Sequence, residues 1–334
     1  MQYMSLDLES KVRMAKSRIR GMIEYAEEKQ HGIYVSFSGG LDSRVTLDIT
    51  REVWQEYTSA PLPVLFADTW FEYPSLRRFV YDMFKGHEDE YEFHVVKPDM
   101  LMKEIIAEYG WLFPSKEVSS MIWDAKRGKQ WALNKLRGLD GTGEVSEYRS
   151  KRFTKWTPLY YQDEFIVSPF CCEIMKEKPC IAFEKENSMY PILGLRACES
   201  QRRLEAWCRT GCNAFDSERP LSKPISFFTR NDILQYHVTR NLSVAPPYGK
   251  IVLKGEAEGQ MMLDTRFVSY DTSGEKRTGC LFCPCGSHLD NFAKYVRLRE
   301  TEPKLYRYVM DELGLRDVLI WIQKNYSPSS KVVF

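Results

Sequence analysis

A short apolar run, Gly32-Ile-Tyr-Val-Ser-Phe, breaks at Ser38-Gly39-Gly40-Leu41-Asp42-Ser43 and is followed at once by the helix-compatible run Arg44-Val-Thr-Leu-Asp-Ile. A strand must hand over to a helix inside this loop, and that handover constrains the rest of the chain. Paired glycines reach backbone angles closed to other residues, so several N–H groups can converge on one anion, with the positive end of the next helix adding to the attraction. Ser38 and Ser43 can add hydroxyls, and Asp42 can either hold a magnesium ion or order the loop. No Lys-Ser or Lys-Thr follows the glycines, so this is not a Walker A site. The plainer alternative is an ordinary Ser-Gly-Gly turn.

Strand-like and helical runs alternate around the loop. Strands are predicted at 33–37, 63–67 and 92–96, with helices from 43 to about 57, from 74 to about 85 and after Asp99. Such alternation predicts an α/β fold with a doubly wound, mostly parallel sheet, whose ligands sit at the carboxyl ends of the strands. An amphipathic helix is expected between 5 and 29, where Leu8, Val12, Ile19 and Ile23 keep helical spacing. The segments 190–196 and 223–228 read as later strands, each leading into a helix, at about Glu199 and at 231–240. Residues 115–139 read as helical and polar, 140–155 as loop, and 245–290 as irregular. The end of the chain, 291–324, reads as helical with breaks at Pro303 and Gly314. The expected organisation is an N-terminal helix (1–30), an α/β domain built around the glycine loop (31–240, with an insertion at about 115–160) and a cysteine-rich, helical C-terminal region (241–334).

Charge commits the protein to no polyelectrolyte partner, since Lys+Arg 47 against Asp+Glu 46 leaves a formal net charge of +1. Only a local stretch, with Arg149, Lys151, Arg152 and Lys155 among Tyr148, Phe153 and Trp156, has the basic-aromatic character that follows a nucleic-acid strand; a solvated loop with its aromatics in the core is the alternative. The N-terminus has no basic segment followed by an apolar run, and nowhere do about 18 apolar residues stand together, which predicts a cytoplasmic protein without membrane spans.

Three further groups carry chemistry. Asp68 and Thr69 end the second predicted strand, where a carboxylate can bind a ribose hydroxyl or an adenine amino group, or cap a helix. Arg196, Glu199, Arg202 and Arg203 crowd a strand end and helix start, where guanidiniums can fork onto phosphate or sulfate or form a surface ion-pair network. All nine cysteines lie beyond residue 170, in the pairs Cys171-Cys172 and Cys280-Leu-Phe-Cys283, in Cys285, and in the scattered Cys180, Cys198, Cys208 and Cys212. In a cytosolic chain this asymmetry favours metal ligation or redox chemistry over disulfides. Adjacent cysteines suit an iron–sulfur cube, which spreads its ligand positions over four irons, better than tetrahedral zinc. Structural zinc and buried free cysteines remain the alternatives. Positive charge near Cys208 and Cys212 makes them candidates for sulfur relay.

The hexapeptide 38–43 resembles the SGGxDS signature of the PP-loop ATP pyrophosphatase superfamily, which holds adenylating enzymes and the phosphoadenosine phosphosulfate (PAPS) reductases. Asp68-Thr-Trp-Phe-Glu-Tyr-Pro74 is similar to the D-T-G-x-E-x-P segment of PAPS-reductase-like proteins, with Trp70 in place of the glycine. Gly194-Leu-Arg196 through Arg203 resembles their G-x-R-x-x-E-S-x-x-R motif. The cysteine pairs look like the 4Fe-4S pattern of adenylyl-sulfate (APS) reductases and DNA phosphorothioation sulfurtransferases. The resemblance implies an adenine-nucleotide-alpha-hydrolase-like fold and a nucleotide, ATP or PAPS/APS, held with Mg2+ by Ser38, Gly39, Gly40, Leu41, Asp42 and Ser43, with Asp68 and Thr69 at the nucleoside. It further implies Asp42, Arg196 and Arg203 in catalysis, with Cys212 joining them on the ground of its charged surroundings, Cys171, Cys172, Cys280 and Cys283 as cluster ligands, and a thiol or sulfur-donor protein as partner. Assimilatory reductases of the family carry a Glu-Cys-Gly-Leu-His-type tail, whereas no cysteine follows Cys285 here. Adenylation followed by sulfur transfer is therefore the expected activity, with sulfonucleotide reduction and a non-catalytic nucleotide- and cluster-binding subunit as alternatives.

Overall fold

The computed structural model describes residues 2–254 and 268–334. In chain order, helix α1 (Leu8–Glu28) precedes β1 (Gly32–Ser36), α2 (Leu41–Trp54), β2 (Leu62–Ala67), α3 (Pro74–Phe84) and β3 (Tyr91–Val96). Helices α4 (Met102–Tyr109), α5 (Lys116–Lys126), α6 (Gln130–Leu136), α7 (Glu147–Phe153) and α8 (Thr157–Tyr161) follow. Then come α9 (Lys178–Asn187), β4 (Met189–Leu193), α10 (Gln201–Thr210), β5 (Asn213–Ala214), β6 (Leu221–Ser222), α11 (Arg230–Thr239), β7 (Ile251–Lys254) and β8 (Ser269–Thr272). The chain closes with α12 (Ala293–Thr301), α13 (Pro303–Arg307) and α14 (Leu315–Tyr326). It divides into two compact units, one of residues 1–97 and 179–279, the other of 98–178 and 280–334.

The first unit holds a sheet of order β3-β2-β1-β4-β6-β5, parallel throughout except for the antiparallel β5–β6 pair. Buried and exposed positions do not alternate along its inner strand β2, which is buried along nearly its whole length, as a strand covered on both faces requires. The α/β class and the mostly parallel sheet therefore stand as the succession of strands and helices predicted. Strand order reverses between β1 and β4, which opens a crevice at their carboxyl ends. Helix α1 packs through Ala15, Ile19, Met22, Ile23 and Ala26, the helically spaced positions of its sequence. Under the sheet, Tyr34, Leu65, Cys180 and Phe183 form a buried cluster, where the Tyr34 hydroxyl donates to Glu184 at 2.6 Å.

The second unit is helical, and its core includes Phe113, Trp156, His288 and Tyr326 in mutual edge and tilted ring contacts. Among the described residues no helix is long and apolar enough to cross a membrane.

Four expectations are corrected. Helix α2 begins at Leu41, not Ser43, because Gly40 already takes the extended N-cap conformation. Residues 147–153 are helix rather than loop, since the Ser146 hydroxyl accepts from the Arg149 amide and caps α7. Phe153 and Trp156 are buried there, while Tyr148 is exposed and Arg152 pairs with Glu117. Residues 223–228 are turns, closed by Ser226 N–H to Lys223 O and Phe228 N–H to Ile225 O, and the strand is the short Leu221–Ser222 before them. Finally, 245–290 contains the antiparallel pair β7–β8, with Ile251 opposite Thr272. The part of that segment from 255 to 267 lies outside the described residues.

Candidate functional site

The loop between β1 and α2 is built by close backbone approach. Gly39 sits at φ +71°, and a Cβ there would lie 2.7 Å from Val80 of α3. At the end of β4, a Cβ on Gly194 would lie 2.9 Å from the Cα and N of Ser43. The Ser43 hydroxyl closes the loop on itself: it donates to the Gly40 carbonyl at 2.9 Å, accepts from the Ser38 amide at 3.2 Å and meets the Ser38 hydroxyl at 3.1 Å. His237 of α11 steadies the first turn of α2 through its Nε2, 3.0 Å from the Leu41 carbonyl oxygen. Gly40 offers no side-chain cap, so the first amides of α2 are left for an anion or a neighbour.

A crevice of about 290 Å³ opens over this loop, floored by Ser38, Gly40, Leu41, Asp42 and Ser43 and walled on one side by Gly194, Leu195, Arg196, Glu199 and Arg203. Arg196 is the pivot. Its Nε donates to Asp42 Oδ1 at 2.6 Å and its Nη2 to Asp42 Oδ2 at 3.2 Å and Glu199 Oε1 at 3.3 Å. Asp42 is thus held against Arg196, which comes from the far side of the strand reversal. Arg203 also pairs with Glu199.

The opposite wall comes from residues that the sequence did not single out: Arg230, Tyr248, Lys276, Arg277 and Thr278. Arg230 starts α11, and the β7–β8 pairing brings the others there, because its base is stitched by Gly274 N–H to Tyr248 O at 2.9 Å, Glu275 N–H to Pro247 O at 2.8 Å and Lys250 N–H to Ser273 Oγ at 2.8 Å. The Tyr248 and Thr278 hydroxyls are 2.7 Å apart and stand over Gly40. Cations outnumber carboxylates in this crevice. Burial lowers the pKa of Arg203, and the nearby Arg277 and Arg196 push it further down while Asp42 opposes them. Guanidiniums stay protonated in proteins, so the crowding is relieved by an incoming anion rather than by proton loss.

Asp68 and Thr69 are buried outside this lining. Asp68 takes two bonds from Arg77, at 2.8 and 2.7 Å, and one from the Tyr81 hydroxyl at 2.8 Å. Burial raises its pKa, yet these donors and the Trp70 amide outweigh burial and hold it below the ordinary carboxylate value. It does not cap α3, whose N-cap is Tyr73. Thr69 donates to Glu72 at 2.8 Å.

The paired cysteines all belong to the second unit. Cys171 and Cys172 open the helical stretch before α9, and Cys280 and Cys283 share a turn closed by Cys283 N–H to Cys280 O at 3.2 Å. Burial, then Cys280 and Cys283, push the Cys172 thiol up to about 12, with Lys116 and Lys176 opposing. Cys171 is raised by burial and then by Cys280, Cys172 and Cys283. Burial and mutual proximity disfavour free thiolates here as well, so these cysteines would ionise only against a bound cation, which is the donor chemistry of a thiolate-bound metal cofactor. Among the described residues no three His, Cys, Asp or Glu converge to hold a single metal ion. A cube's ligands stand apart on separate irons, so the donor set is compatible with a cluster.

Cys212 is buried, and burial raises its pKa, which disfavours a thiolate. Cys198 is exposed and lies 3.4 Å from Arg196 Nη1; its position two residues after Arg196 was the available signal.

Residues 32–140 match the family described as phosphoadenosine phosphosulfate reductase domain. A crystal structure of phosphoadenylyl-sulfate (PAPS) reductase from Candida auris, in a phosphate complex, is similar at 15% identity, covering 72% of this chain and 90% of that chain with a TM-score of 0.37. No curated protein matches.

Proposed function

From a chain whose residues 32–140 match the PAPS reductase domain family, we propose an enzyme of sulfur chemistry that binds an adenine nucleotide over the loop 38–43 and uses ATP to adenylate an acceptor before sulfur transfer. The observation that carries this reading is the crevice at the β1–β4 strand reversal, where helix-start amides and hydroxyls of the loop face Arg196, Arg203, Arg230, Lys276 and Arg277. That lining suits a chain of phosphates. An acceptor oxygen attacks the α-phosphorus, the α–β bridging P–O bond breaks, and pyrophosphate leaves with its charge met by Arg196 and Arg203. A sulfide sulfur then attacks the carbon or phosphorus bearing the adenylated oxygen, the bond from that atom to the oxygen breaks, and AMP departs carrying the oxygen. Asp42 orients Arg196 for the first step, and Mg2+ would arrive with the triphosphate. Cys171, Cys172, Cys280 and Cys283 would hold a 4Fe-4S cluster, which when bound supplies electron transfer or a labile sulfur site.

Sulfonucleotide reduction is the second reading, favoured by the domain match and by the thiol of Cys198 beside Arg196. Here a thiolate attacks the sulfonyl sulfur of PAPS or APS, the S–O bond to the nucleotide phosphate breaks, and a thiol reductant later releases sulfite. Anaerobically purified protein incubated with ATP and candidate acceptors should release pyrophosphate. Sulfite formed from PAPS with thioredoxin, without any pyrophosphate from ATP, would overturn the first reading and establish the second.

A further inference from the structure

Where the chain leaves β2, Asp68, Thr69, Phe71, Glu72 and Tyr73 are all buried, and Trp70 between them is 57% exposed. The side chains of its neighbours hold this turn rigidly: the Trp70 amide donates to Asp68 Oδ1 at 3.2 Å, the Phe71 amide to Thr69 Oγ1 at 3.3 Å and the Thr69 amide to Glu72 Oε2 at 3.2 Å. Trp70 itself sits at φ +65°, in the left-handed region where a residue with a Cβ is strained. Neither backbone ease nor core packing accounts for an indole at this position. The Arg77 guanidinium lies over the ring, 4.0 Å from its centre, and the Lys97 ammonium 5.7 Å from it, so a cation holds one face of the ring. Helix α3 joins this ring to the anion loop, for Leu76 and Val80 stand against Gly39 while Arg77 lies over Trp70.

We propose that Trp70 is a stacking platform for the adenine base of the nucleotide whose phosphates occupy the loop 38–43. β1 and β2 are neighbouring parallel strands, so their carboxyl ends, which carry the loop and Trp70, lie along one edge of the sheet. A flat, half-exposed indole backed by a guanidinium on one face fits a nucleobase next to phosphates. The inference rests on the adenine-nucleotide reading above.

The test compares binding of ATP and of inorganic tripolyphosphate to the full chain, to W70G and to W70F by equilibrium dialysis. W70G should bind ATP ~5- to ~100-fold more weakly, W70F should stay close to wild type, and tripolyphosphate should bind all three alike. W70G should melt no lower than wild type, because glycine adopts this backbone angle without strain. Equal ATP affinity in W70G would overturn the platform alone. A joint loss of ATP and tripolyphosphate binding with a lower melting temperature would also overturn it, making the indole a structural prop. Loss of binding to a short single-stranded oligonucleotide, with ATP affinity unchanged, would overturn it by assigning the ring to a nucleic-acid strand. Wild-type protein that binds tripolyphosphate but no adenine nucleotide would instead overturn the proposed function, and the platform with it.

Discussion

His237 shows how a residue outside the crevice governs the loop. It is buried, its Nε2 meets the Leu41 carbonyl, and burial lowers its pKa below the ordinary 6.5. A base whose folded pKa is depressed binds its proton less readily when folded than when unfolded, so its contribution to stability is complete above about pH 6.5 and is lost as the pH falls below that value. Chemical denaturation midpoints of the wild-type chain should therefore drop between pH 7 and 5. In H237Q, which keeps a donor near the same place, the drop should be shallower; an unchanged slope would show that His237 does not drive it. At this scale the sequence was most legible where the contacts are local. Ser38, Gly40, Asp42 and Ser43 fold into one loop that lines the crevice, whereas Arg196 reaches Asp42 from 154 positions away, a pairing that no local pattern announces. Asp68 was harder to read, because the partner that occupies it, Arg77, is fixed by the packing of a helix nine positions on.

Elements are tied together by single buried charges. Lys11 of α1 is 1% exposed and donates to Asp232 at 2.6 Å, while Asp232 also accepts from the Thr229 amide at 2.6 Å in the capping box of α11. Asp232→Ala removes the carboxylate half of the capping box, leaving the Thr229 cap itself, and takes the counter-charge from a buried ammonium, which keeps the Met4 carbonyl as an acceptor at 2.8 Å. The expected cost is about 3–5 kcal/mol, read from urea midpoints. Lys11→Met added to Asp232→Ala should recover much of it; no recovery would place the loss in the cap instead. Most helices and the first three strands were legible from periodicity, since each is a local pattern with its own core face. The far wall of the crevice was not. Tyr248 and Thr278 meet only because β7 pairs with β8, and two four-residue strands leave little periodic signal.

For the whole molecule, the cysteine set gives a direct measurement. If Cys171, Cys172, Cys280 and Cys283 hold a cube, anaerobically purified protein should contain about four irons per chain, and Cys280→Ser should lose most of the iron and its visible absorbance. Iron content unchanged in that variant would remove Cys280 from the ligand set. The interleaved chain has a further outcome, in time rather than space. β4 pairs with β1 along its full length, Gly32 against Met189 through Ser36 against Leu193. During synthesis β4 emerges roughly 150 residues after β1, on the order of ten seconds later at ~5–20 residues per second. Until then β1 presents an unpaired apolar edge to other nascent chains. A chain stopped after residue 178 should therefore aggregate or remain bound to chaperones, and a soluble, monomeric fragment of that length would show that the edge is shielded in another way. The crevice over the loop 38–43, which needs both β1 and β4, cannot take shape until β4 has left the ribosome.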